Sequence, residues 1–106
     1  MTPREITALR KSGRLAEALE AAEAAYAERV NGYSIGSLFW CLNDLYKTQH
    51  GEELEKTVAR MHTICNELGI VDEYMQRSLA SAERRVLPTT GQSLYVFFSS
   101  RLLFYY

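Results

Sequence analysis

Residues 14–29 read RLAEALEAAEAAYAER, and this stretch is the strongest indication of helical structure in the chain. Alanine, leucine and glutamate, which are strong helix formers, supply most of it. Its apolar side chains recur at steps of three and four residues, as they do on one face of an amphipathic helix. These side chains are Leu15, Ala18, Leu19, Ala22, Ala25 and Tyr26. The stretch therefore predicts a helix, which Asn31-Gly32 ends.

A short helix is predicted before this stretch. Thr2-Pro3-Arg4-Glu5 has the pattern of a capping box with proline at the first helical position, so a helix is expected to begin there. Ile6 and Leu9 are expected to face inward. Gly13 then ends the helix, because glycine readily adopts the left-handed conformation that closes one.

Three more helices are predicted in the rest of the helix-rich part of the chain. Helices over 36–48 and 52–68 carry apolar residues at three- and four-residue steps, and Gly69 closes the second of them. A fifth helix begins after Asp72, which is a suitable N-cap, and ends before Pro88, because proline lacks an amide hydrogen. The sequence therefore predicts an all-α protein with five helices.

The segment that follows these helices has a different composition. Residues 89–106 contain Arg101 as their single charged residue, and half of the 12 aromatic residues of the chain lie between Tyr95 and Tyr106. We therefore divide the chain into a helical domain (1–88) and an apolar segment (89–106). The apolar segment fits either two β-prone runs or one short helix, and we expect the helix.

We also expect the apolar segment to be buried against another surface, because soluble monomers rarely leave such an apolar surface exposed. One place for it is the fifth helix of the same chain, and the other is the same surface of a second copy, which would make a homodimer. Docking in the same chain is the expectation, because terminal repeats of helical arrays are usually capped. The face considered for docking consists of Met75, Leu79, Ala82 and Val86.

The length and composition of the chain are typical of one soluble domain. The chain has 106 residues, of which 47% are hydrophobic and 24% are charged, as is ordinary for a globular domain. A chain of this size can bury a core without disulfides or metal, so we expect no cofactor. The net charge of -1 gives no general attraction for phosphate backbones, which disfavours nucleic acid as a partner.

The same inspection predicts a cytoplasmic location. We expect no secretory signal, because charges begin at Arg4, and no membrane span, because no stretch reaches about 18 apolar residues. Cys41 and Cys65 are too few for a disulfide framework. They are expected to be small buried hydrophobes in a reducing compartment.

Two stretches resemble the helices of a tetratricopeptide repeat. Gly13–Tyr26, GRLAEALEAAEAAY, is similar to the second helix of such a repeat, in which a turn glycine precedes small residues at fixed spacing. Phe39-x-x-Leu42-Asn43-x-x-Tyr46 resembles the first helix of the next repeat. The resemblance implies stacked antiparallel hairpins over about 3–30 and 35–68, with a further first-type helix over 71–87. A helical bundle without repeats is the alternative.

This resemblance implies a non-enzymatic scaffold that binds a protein or peptide partner. In the family, the first helices of successive repeats line a concave groove that holds a peptide or a partner helix. On that basis the candidate groove residues are Arg10, Ser37, Trp40, Asp44, Lys47 and Arg77. Trp40 lies one residue, about 100°, away from the apolar stripe of its helix. It faces either the groove or the apolar segment.

The sequence gives only weak support for a metal site or a catalytic cysteine. His62-x-x-Cys65 places an imidazole and a thiol on one helical face, but zinc sites need three or four ligands at paired spacing. Cys41 is explained by the apolar pattern of its helix, so we expect neither a metal site nor a Cys–His enzyme.

A small basic strip gives the alternative function. Arg77, Arg84 and Arg85 lie in the fifth helix, where cations near the C-terminus complement the helix dipole. The alternative is a nucleic-acid-associated accessory protein that uses this strip.

Overall fold

The structure is a computed structural model that describes residues 1–67 and 72–90, with side chains described as far as Val86. Within these ranges the protein is all-helical and has no strand. The helices are α1 (Pro3–Lys11), α2 (Leu15–Glu28), α3 (Gly32–Tyr46), α4 (Gly51–Cys65) and α5 (Glu73–Thr90). The prediction of five helices is confirmed. Any structure of residues 91–106 lies outside the described residues.

The five helices pack around α3, which contacts each of the other four. Consecutive helices also contact each other along the chain. Arg10 and Asp44 join α1 and α3 near their C-terminal ends, and residues at the starts of both helices line one cavity, so the two helices run parallel. On the other side of the molecule, Arg60 of α4 pairs with Glu23 of α2 at 2.6 Å. α3 therefore lies beside both α1 and α5, whereas α2 and α4 meet through this exposed ion pair.

The predicted starts of α1 and α5 are confirmed by their caps. The hydroxyl oxygen of Thr2 accepts a hydrogen bond from the amide of Glu5 at 3.2 Å. The carboxylate of Asp72 accepts one from the amide of Met75 at 3.1 Å. These contacts satisfy amides that lack a partner inside the helix. Gly13, after α1, has a φ of +87°, the left-handed conformation expected of it.

The prediction that the third helix begins at Gly36 is wrong, because α3 begins at Gly32. Asn31 was interpreted only as the end of the preceding helix, but its side chain accepts hydrogen bonds from the amides of Tyr33 and Ser34, both at 2.9 Å. The hydroxyl of Ser34 accepts one in return from the amide of Asn31. This capping box makes the earlier start favourable although Gly36 then lies inside the helix.

Two predicted helix ends are also wrong. The helix α4 ends at Cys65 rather than at residue 68, because the side-chain amide of Asn66 donates a hydrogen bond to the carbonyl of His62 at 2.7 Å. The helix α5 passes Pro88 and reaches Thr90. Pro88 lies two residues from this end, so its missing amide removes one hydrogen bond from the last turn and does not stop the helix. The predicted closure at Gly69 lies outside the described residues.

One core joins all five helices. Phe39 and Leu38 of α3 are fully buried at its centre, beside the fully buried Ala18 and Ala22 of α2. Alanines at this contact let two helices approach closely. The core also includes the apolar face of α5, which the sequence offered as cover for the apolar segment. That face, Met75, Leu79, Ala82 and Val86, is buried together with residues of α3 and α4.

Arg85 has a structural role that differs from the one expected. Its guanidinium donates hydrogen bonds to the carbonyls of Tyr46 and Gln49, at 2.9 and 3.2 Å, and lies 5.7 Å from the centre of the Tyr46 ring. Arg85 therefore caps the C-terminal end of α3 from the neighbouring helix. The neighbouring Arg84 is exposed, and its guanidinium bonds only to the hydroxyl of Ser81 among the contacts described.

We expect Arg85→Gln to lower the free energy of unfolding by about 1–3 kcal/mol, because charged hydrogen bonds to two partly buried carbonyls and the ring contact are lost. The matched variant Arg84→Gln should leave stability unchanged. Chemical denaturation followed by circular dichroism measures both. Equal midpoints for the two variants would show that Arg85 does not anchor α3.

Candidate functional site

A groove lies between α1 and α3 and opens to solvent. It consists of two adjoining cavities of about 570 and 210 Å³, which share Pro3, Ile6, Tyr33 and Ser37 in their linings. The smaller cavity is lined by Pro3, Ile6, Thr7 and Arg10 of α1 and by Gly32, Tyr33, Gly36, Ser37 and Trp40 of α3. We call the two cavities together the α1–α3 groove.

The floor of the α1–α3 groove is open because α3 carries two glycines there. No heavy atom from elsewhere in the described fold lies within 4 Å of the position that a Cβ of Gly32 or Gly36 would take. Tyr33 rises at one end of this floor and is 77% exposed. Trp40 lies seven residues later on the same face, partly buried, in an edge-to-face contact with Phe39. The groove thus has an open floor between two aromatic side chains.

Four of the six candidate groove residues come together at this site. Arg10, Ser37 and Trp40 line the smaller cavity, and Asp44 binds Arg10 at 3.0 Å beside it. That ion pair closes the end of the groove near Trp40. The Arg10 and Asp44 side chains are 20% and 31% exposed, so they are held in place by the surrounding structure.

The other two candidates lie elsewhere. Lys47 is the exposed C-cap of α3 and lines neither cavity. Arg77 pairs with Glu73 on the solvent face of α5, where both side chains are more than 70% exposed. Two surroundings were considered for Trp40, a groove and the apolar segment. In the structure Trp40 lines the smaller cavity. Contact with the apolar segment concerns residues outside the described part.

Tyr33, Gly32 and Gly36 are groove residues that sequence reasoning missed. The missed signal was Asn31 followed three residues later by Ser34, which marks the start of a helix. With that start, Tyr33 falls one turn before Ser37 and two turns before Trp40, on the same face.

The surface of α2 and α4 contrasts with the groove, because its polar side chains bind one another. The hydroxyl of Tyr26 donates to the carboxylate of Glu67 at 2.5 Å, and Arg60 lies over the Tyr26 ring at 5.8 Å. Burial, followed by the hydrogen bond to Glu67, raises the pKa of Tyr26 to about 12. These side-chain contacts join α2 to α4 and to Glu67, which follows α4.

The two cysteines are free and buried in separate helices. Burial raises the pKa of Cys41 to about 11 and also raises the pKa of Cys65. His62 lies 3.3 Å from a carboxylate oxygen of Glu83, and Gln76 donates to the sulfur of Cys65 at 3.6 Å. No cluster of three or more metal-ligating side chains occurs within residues 1–67 and 72–86. The raised pKa values make both thiols weak nucleophiles at neutral pH.

Comparisons with known protein families, curated proteins and solved structures found no match. Among the helices of the described part, none is long and apolar enough to cross a lipid bilayer.

We expect Arg10→Gln to lower the free energy of unfolding by about 1 kcal/mol, because the partly buried Asp44 loses the ion pair that joins α1 to α3. Arg77→Gln removes an ion pair of similar length in which both side chains are exposed, so it should change little. Thermal unfolding of the two variants gives the comparison. A larger loss in Arg77→Gln would contradict the structural role assigned to Arg10.

We expect both thiols to react slowly with a chromogenic disulfide reagent at pH 8. Raising the pKa of Cys41 from 9.0 to about 11 reduces its thiolate fraction at pH 8 from about 10% to about 0.1%, because each pKa unit changes that fraction tenfold. Burial also limits access of the reagent. The same measurement in guanidinium should show two rapidly reacting thiols. A fast native phase that disappears in Cys41→Ala or Cys65→Ala would identify a reactive cysteine.

Proposed function

We propose that the protein is a non-enzymatic interaction module that binds a peptide or a partner helix in the α1–α3 groove. The observation that carries this proposal is the empty floor over Gly32 and Gly36 between the exposed Tyr33 and the partly buried Trp40. Tyrosine and tryptophan are the side chains that most often contribute large shares of binding energy at interfaces.

The size of the groove supports a short segment as its ligand. Tyr33 and Trp40 are seven residues apart, which is about 10 Å along a helix axis. This length matches two turns of a helix or three to four extended residues. A ligand side chain that enters the space above Gly36 would contact α1 on one side and α3 on the other.

The arrangement of the helices supports a tetratricopeptide-like module. In the described residues α3 lies beside both α1 and α5, and α2 is joined to α4. Stacked helical hairpins give this pattern of neighbours, and the groove then lies on the side formed by the first helix of each hairpin. The two buried free thiols agree with a reducing, cytoplasmic compartment.

The test uses peptides selected from a displayed random library on the full chain and then synthesised. We expect Gly36→Leu to weaken their binding at least about tenfold, because the leucine side chain fills the floor of the groove. Titration followed by the fluorescence of Trp40, the single tryptophan of the chain, measures the affinity.

Two controls make this result specific. Ala24→Leu adds a leucine at an exposed position of α2 and should leave peptide binding unchanged. Gly36→Leu should be at least as stable as the original protein, because glycine inside a helix costs about 1 kcal/mol relative to good helix formers. Peptides that bind equally well to Gly36→Leu would refute the groove as the binding site.

A further inference from the structure

The hydroxyl groups of the described side chains differ in whether they have a hydrogen-bond partner. Ten serines and threonines have described side chains, and seven of their hydroxyls bond to other residues. The other three, those of Thr7, Ser37 and Ser78, have no hydrogen-bond partner among the described residues. Thr7 and Ser37 both line the smaller cavity of the α1–α3 groove.

The hydroxyls of Thr7 and Ser37 are reached by solvent although both residues are partly buried. No fully buried side-chain oxygen or nitrogen of the described residues lacks a hydrogen-bond partner. The two hydroxyl oxygens are therefore in contact with solvent, and the opening that both residues line is the smaller cavity. Each hydroxyl can donate one hydrogen bond and accept others, so both are available to a ligand in this cavity.

Arg10 adds N–H donors to the same cavity. Its Nη1 atom donates to Asp44 at 3.0 Å, and a guanidinium has five N–H donors in all. Arg10 follows Thr7 by three residues, so the two side chains lie on one face of α1. The wall formed by α1 thus offers a hydroxyl and a guanidinium held by its ion pair, and Ser37 offers a second hydroxyl from α3.

These polar groups distinguish between the two ligand shapes that the length of the groove allows. A helix bonds its own backbone internally and binds a groove through an apolar stripe. Such a stripe over Thr7 and Ser37 would displace water from two hydroxyls without replacing its hydrogen bonds, which is unfavourable. An extended peptide has unpaired backbone N–H and C=O groups that can bond to hydroxyls and to a guanidinium. The smaller cavity therefore favours an extended peptide.

We propose that the ligand is a peptide segment of another protein that crosses the smaller cavity in an extended conformation. Its backbone bonds to the hydroxyls of Thr7 and Ser37 and to the guanidinium of Arg10. The inference rests on the proposed function, because it takes the groove to be the binding site and specifies the conformation of its ligand. Backbone bonds are independent of side-chain identity, so selection falls to the ligand side chain that enters the space above Gly36.

Removal of the two hydroxyls tests the proposal on the full chain, with the peptides selected from the displayed library. Ser37→Ala and Thr7→Val each remove a hydroxyl without breaking a hydrogen bond of the described fold, so both variants should fold. We expect each to weaken peptide binding about threefold to tenfold, which is the usual effect of losing one neutral hydrogen bond. Titration followed by the fluorescence of Trp40 measures the affinities.

Ser78→Ala is the matched control for these variants. Ser78 is also partly buried, its hydroxyl also has no partner among the described residues, and it lines neither cavity. This variant should bind the peptides like the original protein. Equal affinities in Ser37→Ala, Thr7→Val and Ser78→Ala would overturn the proposal.

The conformation of the bound peptide is measured independently by nuclear magnetic resonance. In a peptide with isotope-labelled Cα carbons, an extended backbone moves the Cα resonances upfield of their unfolded positions, and a helix moves them downfield. We expect upfield shifts on binding in the central three to four residues, the number of extended residues that the groove accommodates. Downfield shifts over two consecutive turns would show a bound helix and would overturn the proposal.

A scan of backbone esters along the peptide pairs each hydroxyl with its partner. An ester removes one backbone N–H and weakens a carbonyl as an acceptor, while the side chains stay the same. We expect an ester that weakens binding to the original protein at the Ser37 contact to have little further effect on Ser37→Ala, because that bond is already lost. Ester effects that add fully to those of both hydroxyl variants would contradict direct bonding.

Failure of the proposed function has a different signature. If Gly36→Leu leaves peptide binding unchanged, the groove is not the binding site and both proposals fail. If the peptides depend on Gly36 but bind as a helix, or bind Ser37→Ala and Thr7→Val as well as the original protein, the proposed function stands and the extended conformation is refuted.

Discussion

The fold depends on the packing of α3 against all four other helices. Eight of its 15 residues are buried, and Phe39 and Leu38 lie at the centre of the single core. A helix surrounded in this way has few side chains left for solvent, and those of Tyr33, Ser37 and Trp40 share one strip. The groove is therefore the part of the central helix that its neighbours leave uncovered, and moving α3 would change both the core and the groove.

Both ends of α3 are held by polar contacts that fix its position. At the start, Asn31 and Ser34 satisfy each other's backbone amides. At the other end, Arg85 of α5 donates hydrogen bonds to the carbonyls of Tyr46, the last residue of α3, and of Gln49 beyond it. These contacts are directional, unlike the apolar core, so they set where α3 begins and ends along its axis. They also place the glycine floor opposite Ile6 and Thr7 of α1.

The helical periodicity of the sequence was sufficient to predict five helices, because apolar residues at three- and four-residue steps bury one face wherever they occur. Helix ends were harder to predict. Asn31 can end one helix or begin the next, and only the reciprocal contact with Ser34 distinguishes the two. The roles of Arg85 and Asp44 were not predictable from local pattern, since their partners lie 39 and 34 residues away along the chain. Trp40 lies off the apolar stripe of its helix, as its angle predicts, and lines the smaller cavity; its role there stays a prediction. Tyr33 was missed as a groove residue because α3 was predicted to begin at Gly36, which left Tyr33 outside the helix.

The α1–α3 groove has an energetic cost that the rest of α3 must offset. A glycine in the interior of a helix costs about 0.5–1 kcal/mol relative to alanine, and Gly36 lies in the interior of α3. The usual structural reason for glycine in a helix is close approach of another backbone, yet the space above Gly36 is empty of described atoms. An exposed tyrosine at position 33 adds apolar surface in contact with water. The caps at the two ends of α3 and its buried face supply the compensating stability. A helix so stabilised can keep an open floor between two aromatic residues, Tyr33 and Trp40, without losing its place in the core.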